Sequence, residues 1–262
     1  MTLLVDSGFV QQSYMWDSPA AHGLWSPTNI TTALWLDAAD ASTLIASSGR
    51  ISQWSDKSGN ARHATEAEAG PKITTAFQNG LNVVEFDPAS NTINQLALAS
   101  QLTGLGHVFF VAKKNNVNDS SVVSSNFLAG DDVRSIIFGD GNGSNFLVQQ
   151  ITGSLSTAVP GQWHIAEIET TGVNASLGIN GTRTTSADTD TMQVSHIGRY
   201  ANTNTTFRNQ YSFRGVIGEY IAIVSSLSTT NRQKMEGYLA HKWGLTANLS
   251  SDHPYKTFGP TP

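Results

Sequence analysis

The chain of 262 residues contains no cysteine. This absence excludes disulfide bonds, thiolate nucleophiles and cysteine-based zinc sites. Only 13% of the residues are charged, the formal net charge is −5, and lysine and arginine form no runs. We therefore expect neither nucleic acid nor an anionic membrane surface as a partner.

Long apolar stretches are also absent, so the sequence predicts no segment that spans a bilayer. Residues 1–16 lack the basic start, the apolar run and the small-residue cleavage site of a signal peptide. We expect synthesis in the cytoplasm without a signal peptide.

Short apolar runs with a strand-like pattern alternate with clusters of Gly, Asn, Asp and Ser, which is typical of strands and turns. The predicted strands are 34–37, 51–54, 82–86, 95–98, 107–112, 135–138, 146–150, 163–170, 175–179, 182–185, 196–199 and 213–224. Asn180-Gly181 is the strongest hairpin signal. Because no helices intervene, the strands should pair antiparallel in an all-β sandwich or jelly roll.

One helix is predicted near the C-terminus, over residues 230–243. Thr230 and Gln233 have the spacing of a capping box, and Gly244 is a C-terminal stop signal. The apolar stripe consists of Met235, Tyr238, Leu239 and Trp243. The residues mostly off that stripe are Gln233, Lys234, Glu236 and Lys242. The helix should therefore lie on a sheet with one side in water.

The sequence before the first strand has no sustained period and is interpreted as an extended arm over residues 1–28. Residues 29–262 should then form one domain that includes the helix and a C-terminal tail. The arm carries the aromatic residues Phe9, Tyr14, Trp16 and Trp25. Aromatic residues on an arm must cover a surface, either of a partner protein or of their own domain.

Two segments, residues 34–71 and 214–245, resemble the concanavalin A-like lectin/glucanase superfamily. The resemblance is to the laminin-G-like jelly-roll form found in phage virion proteins and large bacterial surface proteins. Residues 83–98 resemble a strand of the same family, with Pro88 where glycine is usual. The resemblance implies a concanavalin A-like sandwich. Within the first segment, Asp56 should accept backbone hydrogen bonds in a turn and serve a structural role.

Glucanases of this superfamily carry a Glu-x-Asp-x-x-Glu strand, because two carboxylates must flank the glycosidic bond. Glu85 and Asp87 begin such a pattern, but Ser90 occupies the third position. Glu167 and Glu169 begin another, which lacks its third carboxylate. Solvated or turn-capping carboxylates are the favoured interpretation, and the sequence predicts a protein that is not an enzyme.

The sequence predicts no cofactor, with Ca²⁺ as the alternative, because several turns are rich in the oxygen ligands that Ca²⁺ prefers. The candidate ligands are Asp131, Asp132, Asp140 and Asn142, although solvated turn side chains are favoured. A candidate carbohydrate site combines aromatic rings with amide and guanidinium donors, and it consists of Tyr200, Asn202, Phe207, Arg208 and Tyr211. A surface loop or subunit contact is favoured there as well. Trp35, Trp54 and Trp163 lie in predicted strands and are interpreted as core.

These observations support three hypotheses. The first is a non-enzymatic phage virion structural protein, such as a capsid decoration, head fibre or tail component, which binds other virion proteins through its arm and forms a homo-oligomer. The second is a carbohydrate-binding adhesion module that recognises host-surface glycans. The third, ranked last, is a glycan hydrolase or lyase.

Overall fold

A computed structural model describes residues 24–66, 69–87, 94–115, 127–130, 135–138, 146–148, 151, 154–155, 160–199 and 212–262. These residues form seventeen strands and one α-helix, which confirms the predicted all-β class. None of the helices in this part of the chain is long and apolar enough to cross a membrane.

All strands belong to one continuous, curled antiparallel sheet whose two halves face each other. In the first half, β1 and β6 pair end to end along the same edge of β17. Strands β8, β13, β14 and β15 follow in that order from the other edge of β17, and β5 pairs with β6. Their bounds are β1 Leu34–Asp37, β5 Lys72–Gln78, β6 Leu81–Phe86, β8 His107–Lys114, β13 His164–Thr170, β14 Asn174–Ile179, β15 Thr182–Ala187 and β17 Gly215–Ile223.

The second half runs in the order β2, β3, β4, β7, β16, β9, β10, β11 and β12. Its strands are β2 Leu44–Ser47, β3 Arg50–Trp54, β4 Ala64–Glu66, β7 Leu96–Leu105, β9 Phe127–Gly130, β10 Ser135–Phe138, β11 Phe146–Val148, β12 Ser154–Leu155 and β16 Met192–Ile197. Pairing of Arg50 with Lys72 joins the halves at one edge.

The central strands of the first half, β1, β8 and β17, are buried on both faces. In β8, Phe110 packs in the core between the two halves, whereas the next residue along, Val111, packs under the helix. Alternate residues of a strand point to opposite faces, so β8 and β17 read as nearly continuous apolar runs. The fold therefore has three layers: two sheet halves and one helix.

The helix α1, Thr229–Lys242, begins at the cap Ser228, whose side chain accepts the backbone N–H of Asn231. The predicted capping box at Thr230 is therefore wrong. Gly244 has a φ of +66°, as expected for the residue that ends a helix. The four residues of the predicted apolar stripe are buried between the helix and the sheet: Met235, Tyr238, Leu239 and Trp243.

The prediction of a wet outer face for α1 is wrong, because Glu236 and Lys242 are buried. The C-terminal segment covers that side of the helix. His241 Nε2 contacts the carbonyl oxygen of Tyr255 at 2.9 Å, and the Nζ of Lys234 donates to the carbonyl oxygen of Thr261 at 2.6 Å. The helix is thus enclosed between the sheet and the chain end.

Candidate functional site

Most of the predicted site residues lie outside the described residues. These are the carbohydrate candidates Tyr200, Asn202, Phe207, Arg208 and Tyr211, the calcium candidates Asp131, Asp132, Asp140 and Asn142, and the arm aromatics Phe9, Tyr14 and Trp16. Their predicted roles stay predictions, as does the domain boundary at residue 28. Within the described part of the chain, no group of three or more His, Asp or Glu side chains is arranged to hold a metal ion.

Trp25 is the arm aromatic that the structure describes, and it is a core residue. Its ring is buried and meets Tyr238 edge to face at 6.3 Å, and its backbone N–H donates to the carbonyl oxygen of Pro260. For this residue the prediction of partner binding is wrong, because its own domain already covers the ring.

Asp56 has the structural role that the sequence predicted. Its Oδ1 accepts the backbone N–H groups of Trp35 and Ser58, both at 2.9 Å. Its Oδ2 accepts the N–H of Arg62 at 3.0 Å and the hydroxyl of Ser58 at 2.7 Å. The carboxylate therefore ties the turn after β3 to strand β1.

A buried ion network under α1 joins the two segments on which the family resemblance rests. Lys242 Nζ donates to Asp37 Oδ1 at 2.6 Å, to Glu219 Oε2 at 2.9 Å and to the hydroxyl of Tyr238 at 3.1 Å. Glu219 also accepts hydrogen bonds from the indole N–H groups of Trp35 and Trp243, at 2.7 and 2.9 Å, and from the hydroxyl of Tyr238.

Burial raises the pKa of Glu219, although the Lys242 ammonium opposes this rise. Burial also acts to raise the pKa of Asp37, but Lys242 and Lys57 attract its carboxylate and the net pKa is lowered. Since every group in this network is hydrogen-bonded, its physical role is to hold the helix on the sheet.

Next to this network a cavity of about 350 Å³ opens to solvent. Its polar lining is Thr28, Thr31, Thr32, Lys57, Ser58 and Asn60, and Trp35 forms one wall. The cation of Lys57 is already shared by Asp37 and Asp40, both at 2.9 Å, and it lies over the Trp35 ring. The cavity therefore presents no reactive group of its own.

The two Glu-x-acid fragments of the sequence differ in how deeply their carboxyl groups are buried. Glu85 accepts the hydroxyl of Thr74 at 2.6 Å, and Asp87 forms an exposed ion pair with Lys72 at 3.5 Å. This fragment is a surface feature, as predicted. For Glu167 the prediction of a solvated carboxylate is wrong, because its side chain is 2% exposed.

Glu167 and Glu169 lie on the helix-facing side of β13, two residues apart. The Arg183 guanidinium, from the neighbouring strand pair β14–β15, contacts both carboxyl groups, with its Nε 2.5 Å from Glu167 Oε1. Gly178 makes room for this arrangement, because a Cβ there would be 2.4 Å from Glu167 Cγ. Arg232 of the helix lies 3.9 Å from the same Glu167 oxygen.

Two further groups complete this acidic cluster. Glu236 of α1 accepts a hydrogen bond from Arg232 at 2.8 Å, and His253 of the C-terminal segment contacts its other oxygen at 3.0 Å. The sequence analysis missed both residues. Glu236 could have been recognised from its spacing to Arg232, because residues four apart share one helix face and can form an ion pair.

Burial is the main cause that raises the pKa of Glu167 to about 8, and the Glu236 carboxylate adds to it against the attraction of Arg183 and Arg232. The raised pKa favours the protonated form of Glu167 at neutral pH. The charges then balance, since two arginines face the two remaining carboxylates, Glu169 and Glu236.

The two buried glutamates differ in their hydrogen bonding. Whereas Glu219 receives four hydrogen bonds, neither oxygen of Glu167 has a hydrogen-bond partner of good geometry among the described residues. The solvent-facing side of the cluster is formed by Glu169, which is 17% exposed, and Arg183, which is 23% exposed. Glu167 is thus a buried acid with a raised pKa, and its closest polar neighbour is the Arg183 guanidinium.

No protein-family model matches the chain, and no curated protein matches its sequence. Solved structures do share its fold. An arabinofuranosidase in complex with arabinofuranosyl-α-1,2-xylobiose matches with a TM-score of 0.50 and 12% identity over 74% of this chain and 51% of its own. A Trypanosoma rangeli sialidase in complex with the inhibitor DANA matches with a TM-score of 0.51 and 10% identity over 91% of this chain and 38% of its own.

The chain therefore spans about half the length of one neighbour and less of the other, and the likeness concerns the β-sandwich fold. These comparisons contradict the predicted non-enzymatic virion protein. Both of these neighbours are glycan-acting enzymes by name, and neither name points to a phage, a virion or a host-adhesion module. The coarser part of the resemblance, an antiparallel β-sandwich, is confirmed.

Proposed function

We propose that this chain is the glycan-acting domain of a glycoside hydrolase. The observation that carries the proposal is the pair formed by Glu167 and Glu169. One is buried and protonated, and the other is ion-paired and partly exposed, on the same face of one strand. Two carboxyl groups in unlike environments are what acid and base catalysis of glycosidic cleavage requires.

The spacing of the pair supports this assignment. Residues i and i+2 of a strand are about 7 Å apart along the chain. Carboxyl groups that flank a glycosidic bond are separated by about 5 to 9 Å. Arg183 contacts both groups and so fixes their relative position.

In the proposed reaction Glu167 donates its proton to the glycosidic oxygen as the bond from that oxygen to the anomeric carbon breaks. Glu169 either takes a proton from the attacking water or attacks the anomeric carbon itself, and the separation of the two reacting carboxyl groups decides between these routes. In the first route water bonds to the anomeric carbon while Glu169 takes a proton from it. In the second route Glu167, now ionised, takes a proton from a water that displaces Glu169 from the anomeric carbon. In both routes the alcohol leaves with the proton first held by Glu167. A saccharide would approach from the side of Glu169 and Arg183, where the cluster meets solvent.

The names of the two structural neighbours support glycans as the substrate class, and they supply the first compounds to test. The chain would be incubated with chromogenic arabinofuranosides, sialosides and arabinoxylan, and released sugar would be measured. Glu167→Gln and Glu169→Gln should each lower turnover by about 10²-fold or more, because each removes one half of the acid and base pair.

Glu85→Gln is the matched control, since it changes a glutamate of the other Glu-x-acid fragment, which lies at the surface. It should retain full turnover, and circular dichroism should confirm that all three variants are folded. Absence of turnover by the wild-type chain across the panel, or full activity of Glu167→Gln, would overturn the proposal.

A further inference from the structure

An aromatic surface lies beside the C-terminal end of α1, at the start of the strand that carries the acid pair. Phe77, near the end of β5, is 44% exposed. Its ring meets that of Trp163 edge to face, with the centroids 6.3 Å apart. Trp163 is itself only partly buried and stacks on the fully buried Trp243 at 6.3 Å. Trp163, which the sequence predicted to be core, therefore packs against the core but is not fully buried.

A cation lies on this surface. Lys113 Nζ is 4.6 Å from the centroid of Phe77 and 5.6 Å from that of Trp163. Among the described residues, no carboxylate forms an ion pair with it. Lys57, Lys72 and Lys242, by contrast, all contact aspartates. The aromatic surface thus presents a positive charge that the described part of the protein leaves without an anionic partner.

Three amide side chains are bonded to the backbone of this region. Gln78, Asn79 and Asn248 each donate a side-chain N–H to a carbonyl oxygen at 2.9 Å, of Trp243, Lys242 and Trp163 respectively. A fixed amide of this kind keeps its own carbonyl oxygen as an acceptor for hydroxyl groups.

From these contacts we infer that Phe77, Trp163 and Lys113 form a subsite for an acidic sugar residue. The apolar face of the sugar ring packs on the aromatic pair, its hydroxyl groups bond to the amides, and its carboxylate pairs with Lys113. Aromatic rings bordered by a few placed polar groups are typical of small-ligand sites, and a carboxylate supplies the charge that Lys113 lacks.

The subsite and the acid pair lie on the same side of the sheet. Glu167 and Glu169 point to the helix side of β13, and Trp163, which directly precedes β13, stacks on Trp243 on that side. Trp163 and Glu167 are separated by about 13 Å at the usual rise of a strand. The inference that the bound sugar belongs to a substrate rests on the proposed hydrolysis, whereas the binding itself does not.

Isothermal titration calorimetry on the full chain would test the subsite. Trigalacturonate and 3′-sialyllactose are the acidic probes, and xylotriose and lactose are the neutral ones. An acidic probe should bind the wild-type chain more tightly than the neutral probes do, because only the acidic sugar offers a carboxylate to Lys113. Phe77→Ala and Lys113→Gln should each weaken binding at least tenfold. Phe258→Ala removes a phenylalanine that is 79% exposed elsewhere and should leave binding unchanged.

The outcomes separate the two proposals. Binding that needs Phe77 and Lys113, without turnover of any glycan, would sustain the subsite and overturn the hydrolase. The subsite would be overturned if the acidic probes do not bind, or bind no better than the neutral ones, and the Phe77 and Lys113 substitutions leave turnover unchanged. The proposed hydrolase activity would then still hold.

Discussion

Lys242 is the residue whose loss should most damage the fold. The substitution Lys242→Met keeps a long apolar side chain but removes a buried ammonium with three hydrogen-bond acceptors. Asp37 and Glu219 would each lose one charge-assisted hydrogen bond, and such bonds contribute about 1.5–3 kcal/mol each. Because Asp37 keeps Lys57 and Glu219 keeps three neutral donors, we expect a loss of about 3–5 kcal/mol in the free energy of unfolding.

Urea denaturation followed by tryptophan fluorescence measures this loss. With an m value of roughly 3 kcal/mol/M, the midpoint should fall by about 1–2 M. Lys234→Met is the control on the same helix, since Lys234 is bonded at the surface to the carbonyl oxygen of Thr261. It should change stability by about 0.5 kcal/mol or less. If Lys242→Met is as stable as the control, the network does not hold the helix on the sheet.

Two further predictions concern the same region. Gly237→Ala would stabilise a solvent-exposed helix by about 1 kcal/mol. Here the new Cβ would be 2.5 Å from Tyr255 Cβ, so thermal melting should instead show a loss of about 1–3 kcal/mol in the free energy of unfolding. A gain would mean that the C-terminal segment does not cover the helix. Burial raises the pKa of Glu167 to about 8, so the native state holds a proton that the unfolded chain releases near pH 4.5. The stability contribution of Glu167 is therefore complete below about pH 4.5 and is lost as pH rises to about 8. Urea titrations at several pH values should show a smaller decline for Glu167→Gln than for the wild-type chain, because the amide does not titrate while the raised pKa of Glu219 remains in both.

The elements of the fold that depend on local signals could be predicted. Asn180 and Gly181 form the predicted turn between β14 and β15, and both have positive φ, at +53° and +84°. The hairpin follows from two residues alone, because few residue types adopt this conformation without strain. Twelve of the seventeen described strands and the helix followed from apolar periodicity in the same way, whereas β2, β4, β5, β9 and β12 were not predicted.

The buried charges could not be predicted, because their partners are distant in sequence. Lys242 and Asp37 are 205 residues apart, and a helical pattern that counts lysine as polar places it in water. A bulge in β17 adds to the difficulty. The register shifts between Ile217 and Glu219, which turns both Gly218 and Glu219 towards Trp243. Strict alternation assigns these two residues to opposite faces.

Part of the candidate site could be predicted from the sequence. The pair Glu167 and Glu169 was recognised as a fragment of a glucanase pattern and set aside because its third carboxylate is missing. In the structure, helix α1 and the C-terminal segment supply the missing groups as Arg232, Glu236 and His253. A single-strand pattern does not reveal a cluster that is assembled from three parts of the chain.

The pH dependence of kcat/KM for glycan hydrolysis tests the central claim most directly, because it reports the proton on Glu167 in the free protein. The account predicts that kcat/KM falls as pH rises through about 8, where Glu167 loses its proton. A rate that falls instead between pH 4 and 6, or one that stays constant to pH 10, would contradict the assignment of Glu167 as the acid.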